Sequence, residues 1–144
     1  MKLKMLLLTL FCAGLSVAAV AAPAPAPDSP AAAAVMFWRA VVTGDQAAAE
    51  KYVVGAKARE EIKKGIAQMK AMKAEAQKDP RNAALWKAFE NITFINGKIT
   101  GDQAEVFMVM TLEINGEKIE QVNKENPLTL RKVDGKWKVD TDKM

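Results

Sequence analysis

Gly101-Asp-Gln-Ala-Glu-Val-Phe-Met-Val-Met-Thr-Leu-Glu-Ile114, closed by Asn115-Gly116, is the stretch that decides the fold. Successive side chains of a strand point to opposite faces. Ala104, Val106, Met108, Met110, Leu112 and Ile114 therefore share one face, and Glu105, Phe107, Val109, Thr111 and Glu113 share the other. The first face is wholly apolar, while the second is apolar only at its middle. A central strand with one face on helices and the other partly covered has this pattern.

Downstream and just upstream of this strand the same alternation continues. It predicts strands near residues 92–100, 103–114, 117–123, 128–133 and 136–140. Asn115-Gly116 and Asp134-Gly135 are two-residue hairpin signals, because both positions of each tolerate positive φ. Asn96-Gly97 marks a bulge or break, and Pro127, which has no N–H to give a ladder, opens a strand or sits at a kink.

Before residue 91 the period is helical. A first helix starts after Ser29, with Pro30 in its first turn, and runs to Thr43 on a stripe of Val35, Trp38, Val41 and Val42, flanked by Met36 and Phe37. Gly44 stops it, Asp45 caps a short helix reaching about Tyr52, and Gly55 stops the chain again. A longer helix over residues 57–78 has a narrow apolar edge of Ile62, Ile66, Met69 and Met72. Asp79-Pro80 then restarts the chain into a helical turn carrying Leu85, Trp86 and Phe89. Helices first and an antiparallel meander second make an α+β layer, with helices on one side of a curved sheet.

The amino terminus reads as an export signal. Lys2 and Lys4 precede an uncharged apolar run, and Ala19-Val20-Ala21 supplies the small residues of a cleavage site between Ala21 and Ala22. The rival, an uncleaved anchor, would need residues 5–22 to span a bilayer. Lipidation at Cys12 is disfavoured by bulky Phe11 before it. Residues 22–30, with Pro23, Pro25, Pro27 and Pro30, form an extended linker to a domain over residues 31–144. The expected location is periplasmic or secreted, with no stable membrane insertion after cleavage.

Composition narrows the chemistry. The whole chain has 21 basic and 17 acidic residues, and cleavage removes two of the lysines. That near-neutral balance, without an arginine-rich block, speaks against nucleic acid as a partner. The chain has no histidine, and its one cysteine lies in the signal. A thiolate nucleophile, a Ser-His-Asp triad and a His- or Cys-based zinc site are thereby ruled out of the mature chain. No cofactor or metal is expected.

Three segments resemble a known superfamily. Ala34-Val-Met-Phe-Trp-Arg-Ala-Val-Val-Thr-Gly-Asp45 is similar to the first helix and turn of nuclear-transport-factor-2-like domains. Gly101-Asp-Gln-Ala-Glu-Val106 matches their Gly-Asp-x-Ala-x-Val hairpin. Leu128-Thr-Leu-Arg-Lys-Val-Asp-Gly-Lys-Trp-Lys-Val-Asp140 resembles their closing hairpin. The nearest subgroup is the bacterial secreted and lipoprotein family called domain of unknown function 4878. The resemblance covers about residues 31–140. It implies a cone, in which a bent sheet wraps helices around a pocket at the open end, and it is consistent with a homodimer. Enzymes of the superfamily use Asp, His or Tyr inside the cone. This chain has no His, and no acid aligns with such a position, so fold-level analogy does not supply a function.

Candidate residues follow from chemistry. Trp38, Tyr52, Trp86 and Phe89 could line a pocket for a small apolar ligand or simply fill the core, with the Tyr52 hydroxyl able to orient a polar group. Phe107 and Val109 form a candidate dimer face. Glu60 and Glu61 sit among lysines as a solvated helix face. Glu105 and Glu113, roughly 26 Å apart at strand rise, cannot share one reaction centre. No residue is assigned a catalytic role. The expected function is an exported, non-enzymatic module that binds a ligand or an envelope protein. The alternatives are a lyase or isomerase using a carboxylate with Tyr52, and an assembly protein using the sheet face.

Overall fold

A computed structural model describes residues 25–144 and the backbone of Val17–Ala18. The cleavage site between Ala21 and Ala22, Cys12 and the first three residues of the linker fall outside the described residues. Val17–Ala18, inside the segment expected to be cleaved, forms a two-residue strand, β1.

Three of the four α-helices begin where a side chain can satisfy a free N–H group. Helix α1 (Pro30–Thr43) is capped by Ser29, whose Oγ accepts the Ala32 N–H at 3.2 Å, and it closes on Gly44 at φ 78°. Helix α2 (Gln46–Glu50) is capped by Asp45, which accepts the Ala48 N–H at 3.0 Å. After a short strand β2 (Val53–Val54) comes helix α3 (Ala58–Ala76). Helix α4 (Pro80–Glu90) is capped by Asp79, which accepts the Arg81 N–H at 2.9 Å. The single helical turn expected here is thus an 11-residue helix. Trp86 and Phe89, three apart, give it an apolar face that packs against the sheet.

The strands are β3 (Thr93–Thr100), β4 (Gln103–Ile114), β5 (Glu117–Val133) and β6 (Lys136–Asp140), followed by a 3₁₀ turn at Thr141–Lys143. They form an open, mixed sheet in the order β2-β6-β5-β4-β3, with β1 paired antiparallel to β5, so that the sheet of the chain expected after cleavage is β2 to β6. β2 runs parallel to β6 and is fixed by the Val139 N–H donating to the Tyr52 carbonyl at 2.7 Å. This departs from a pure antiparallel meander, and two residues are too few to show a period in the sequence.

The strands expected at residues 117–123 and 128–133 are one bent strand. Val106 faces Leu128 whereas Met108 faces Asn123, so β5 bulges between them. The Asn123 carboxamide oxygen accepts the N–H groups of Glu125 and Asn126 there, and Pro127 sits where no donor is required. The expected bulge at Asn96-Gly97 is present as a register shift between Asn96 and Ile99.

The helices lie on one face of the sheet. Val106, Met108 and Met110 of β4 are buried with Trp38, Phe89, Leu130 and Val139 in one core, which decides the orientation of the opening stretch. Its apolar face leaves the core toward the hairpin tip, where Ile114 is half exposed. The Asn96 side chain accepts the Ala31 N–H at 2.9 Å and ties the start of α1 to the sheet.

Candidate functional site

The four aromatic residues singled out from the sequence do not form one pocket. Trp38 is a core residue, 2% exposed, and its indole N–H donates to the Phe89 carbonyl at 2.8 Å. That bond satisfies a buried donor and ties α1 to the end of α4. Trp86 and Phe89 come together in a groove between α3 and α4. Tyr52 lies elsewhere, between α1, α2 and the β5–β6 turn.

The α3–α4 groove is the most apolar cavity among those described, with a volume of about 320 Å³. Met72 of α3 and Leu85, Trp86 and Phe89 of α4 line it, Phe89 being buried and Ala71 exposed at the rim. The Trp86 indole N–H donates to the Glu90 carboxylate at 2.6 Å. The ring is thereby held in one orientation, its polar atom turned away from need of a ligand. Such a wall offers shape and apolar surface, with Asn82 and Glu75 as polar edges. Ala71 and Met72 were weak signals in the sequence, because the apolar edge of α3 reads as core until its outer end is seen to lack cover.

Around Tyr52 the surroundings are polar. One cavity of about 350 Å³ runs from Pro27 and Asp28 past Met36 to Trp137, and a second of about 220 Å³ runs from Met36 to Arg39 and Asp45. Both are lined by Met36, Lys51 and Tyr52. Among the described residues the Tyr52 hydroxyl has no hydrogen-bond partner. Asp28 and Asp45 are both exposed, and Asp45 already caps α2.

Several of the other acids have structural partners. Lys64 pairs with Glu60 at 2.9 Å and Glu61 at 3.6 Å, which fits the solvated face read from the sequence. The hydrogen bond from Lys64 lowers the pKa of Glu60, and that bond correspondingly raises Lys64. Glu50 is lowered by its hydrogen bond from Gln46 and then by Arg59, whose Nε stands 3.1 Å away. The Arg81 backbone N–H lowers Asp79. Glu105 and Glu113 lie opposite Thr129 and Lys118 on β5. Asp140 is the one buried acid among the described residues. Its carboxylate accepts the Asp142 N–H at 3.1 Å and lies 3.6 Å from the Arg131 Nε.

On the outer face of the sheet, Val109 is fully buried and Phe107 is half buried over Gly97. Among the described residues no cluster of three or more His, Cys, Asp or Glu side chains is placed to hold a metal ion, and no helix is long and apolar enough to cross a membrane. No protein-family model matches the chain, and no curated protein or solved structure matches it either.

Proposed function

We propose that this chain is an exported, non-enzymatic binding module of the bacterial envelope, on the cone-like plan its sequence resembles, and that the groove between α3 and α4 takes a small apolar ligand. One observation carries this reading. An open cavity of about 320 Å³ is lined by Met72, Leu85, Trp86 and Phe89, with the one indole N–H at its wall already satisfied by Glu90. That volume is near the lower end for small-molecule sites, which are mostly apolar with a few placed polar groups.

The space between the helices and the sheet offers less room. Trp38, Phe94, Met69, Val106 and Leu130 are each fully buried there, packed as a core. The lyase or isomerase alternative needs a desolvated carboxylate beside Tyr52. Asp28 and Asp45 share cavities with Tyr52 but stand in solvent, and buried Asp140 is engaged by Arg131 and the Asp142 N–H. The binding reading therefore has the better physical support.

The test is titration of the ¹⁵N-labelled chain with naphthalene and with decanol. Saturable shifts centred on Met72, Leu85 and the Trp86 indole are expected. Ala71→Phe, at an exposed rim position, should fill the groove and abolish them without touching the core. Shifts that never saturate, or that survive Ala71→Phe, would sink the proposal.

A further inference from the structure

The two cavities that meet at Tyr52 form one groove along the outward side of α1. From Ala32 in the first to Thr43 in the second, the helix advances roughly 16 Å at its rise per residue. An extended peptide of about five residues has that length.

The chemistry along the groove is that of a protein-recognition surface. Met36 is 44% exposed at its centre, a large apolar side chain outside the buried stripe of α1. Tyr52 and Trp137 flank it, and Arg39 lies beyond. Aromatic residues, Met and Arg are the types enriched at interfaces, and Tyr, Trp and Arg dominate their binding energy. Trp137 is additionally held by Lys132, whose ammonium lies 5.3 Å from the ring centre.

The charges give the occupant a sign. Arg39, Lys51 and Lys136 line the groove, and among the described residues their side chains have no ion-pair partner. The two acids there, Asp28 and Asp45, are both exposed and lie at opposite ends of the groove, Asp45 accepting the Ala48 N–H, so the three cations outnumber the carboxylates by one. We infer that the Met36–Tyr52 groove binds an extended acidic peptide segment of a partner protein. An apolar side chain of the peptide rests on Met36 and Tyr52, and flanking carboxylates reach Arg39 and Lys51. This site is separate from the α3–α4 groove and does not depend on it.

The experiment uses the full-length ¹⁵N-labelled chain and three acetylated, amidated pentapeptides: Glu-Leu-Glu-Leu-Glu and its Gln and Lys counterparts. The expected result is saturable shifts at Met36, Lys51, Tyr52 and the Trp137 indole with the Glu peptide. Binding should be about tenfold weaker with the Gln peptide and undetectable with the Lys peptide. Arg39→Glu/Lys51→Glu should abolish binding of the Glu peptide, and so should Met36→Asp. All three positions are exposed, so the fold is kept. Equal binding of the Glu and Gln peptides, undiminished binding by either variant, or shifts confined to Leu85 and Trp86 would each overturn the inference.

Discussion

The ring of Phe107 on β4 lies directly over Gly97 on β3. A Cβ placed on Gly97 would stand 2.8 Å from the Phe107 Cε2 and 3.0 Å from its Cζ. An aromatic ring thus covers a strand position that has no side chain of its own. Gly97→Ala should cost about 1–3 kcal/mol by overpacking. In Phe107→Ala the same substitution should cost less, with the Glu105 carbonyl oxygen 3.0 Å from the added Cβ as the remaining contact, and urea denaturation of the four proteins would measure that coupling.

The same contact bears on the sheet face as a dimer surface. Phe107 spends its ring on Gly97, and Val109 is already fully buried. Phe107→Asp is therefore expected to lower stability while leaving the mass in light scattering unchanged. A dimer in the parent chain that becomes a monomer in the variant would show the face to be an interface instead.

Trp38 joins α1 to the end of α4 through its hydrogen bond to the Phe89 carbonyl. Trp38→Phe keeps most of the apolar volume and removes the donor, while the Phe89 carbonyl retains the Ile92 N–H at 3.3 Å. A loss of about 0.5–1.5 kcal/mol in chemical denaturation is expected. A variant as stable as the parent would mean that the Ile92 N–H alone satisfies the carbonyl.

Gly55 has φ +137°, and a Cβ there would collide with the Thr141 hydroxyl and crowd the Asp142 carboxylate. The carboxyl-terminal turn is closed over this glycine by Thr141 Oγ1 donating to the Val54 carbonyl and by Asp142 accepting the Ala56 N–H. Gly55→Ala should destabilise by roughly 1–3 kcal/mol and raise hydrogen exchange at Ala56 and Asp142 first.

Glu50 gives a pH dependence of defined sign. Its folded-state pKa is lowered from 4.5, first by Gln46 and then by Arg59. The unfolded chain therefore binds the proton more readily. The contribution is present above pH 4.5 and is lost as pH falls through the lower folded value. In Glu50→Gln the fall in urea midpoint below pH 4.5 should be slightly shallower than in the parent. The difference should be small and shrink in salt, because this carboxylate is solvent-screened. An acid limb identical to the parent's would remove Glu50 from the account.

The sequence by itself determined the strands and their faces. The alternation from Ala104 to Ile114, the Asn115-Gly116 and Asp134-Gly135 turns, and the caps Ser29, Asp45 and Asp79 are local signals, each readable within a few residues. Positive φ at Asn115 and Asp134 follows from the same chemistry. What the tertiary structure decided rests on residues distant in the chain. Asn96 binding the Ala31 N–H, β2 running parallel to β6, and the union of two expected strands in β5 all depend on a partner that no local period displays. The four aromatic residues divide for the same reason. Helical spacing shows that Trp38, Trp86 and Phe89 face something apolar, but only the packing of α3 on α4 leaves Trp86 at an open groove while Trp38 is enclosed. Tyr52 was legible as a polar handle. Its neighbours Met36 and Trp137 reach it only once α1 and the β5–β6 turn have folded together.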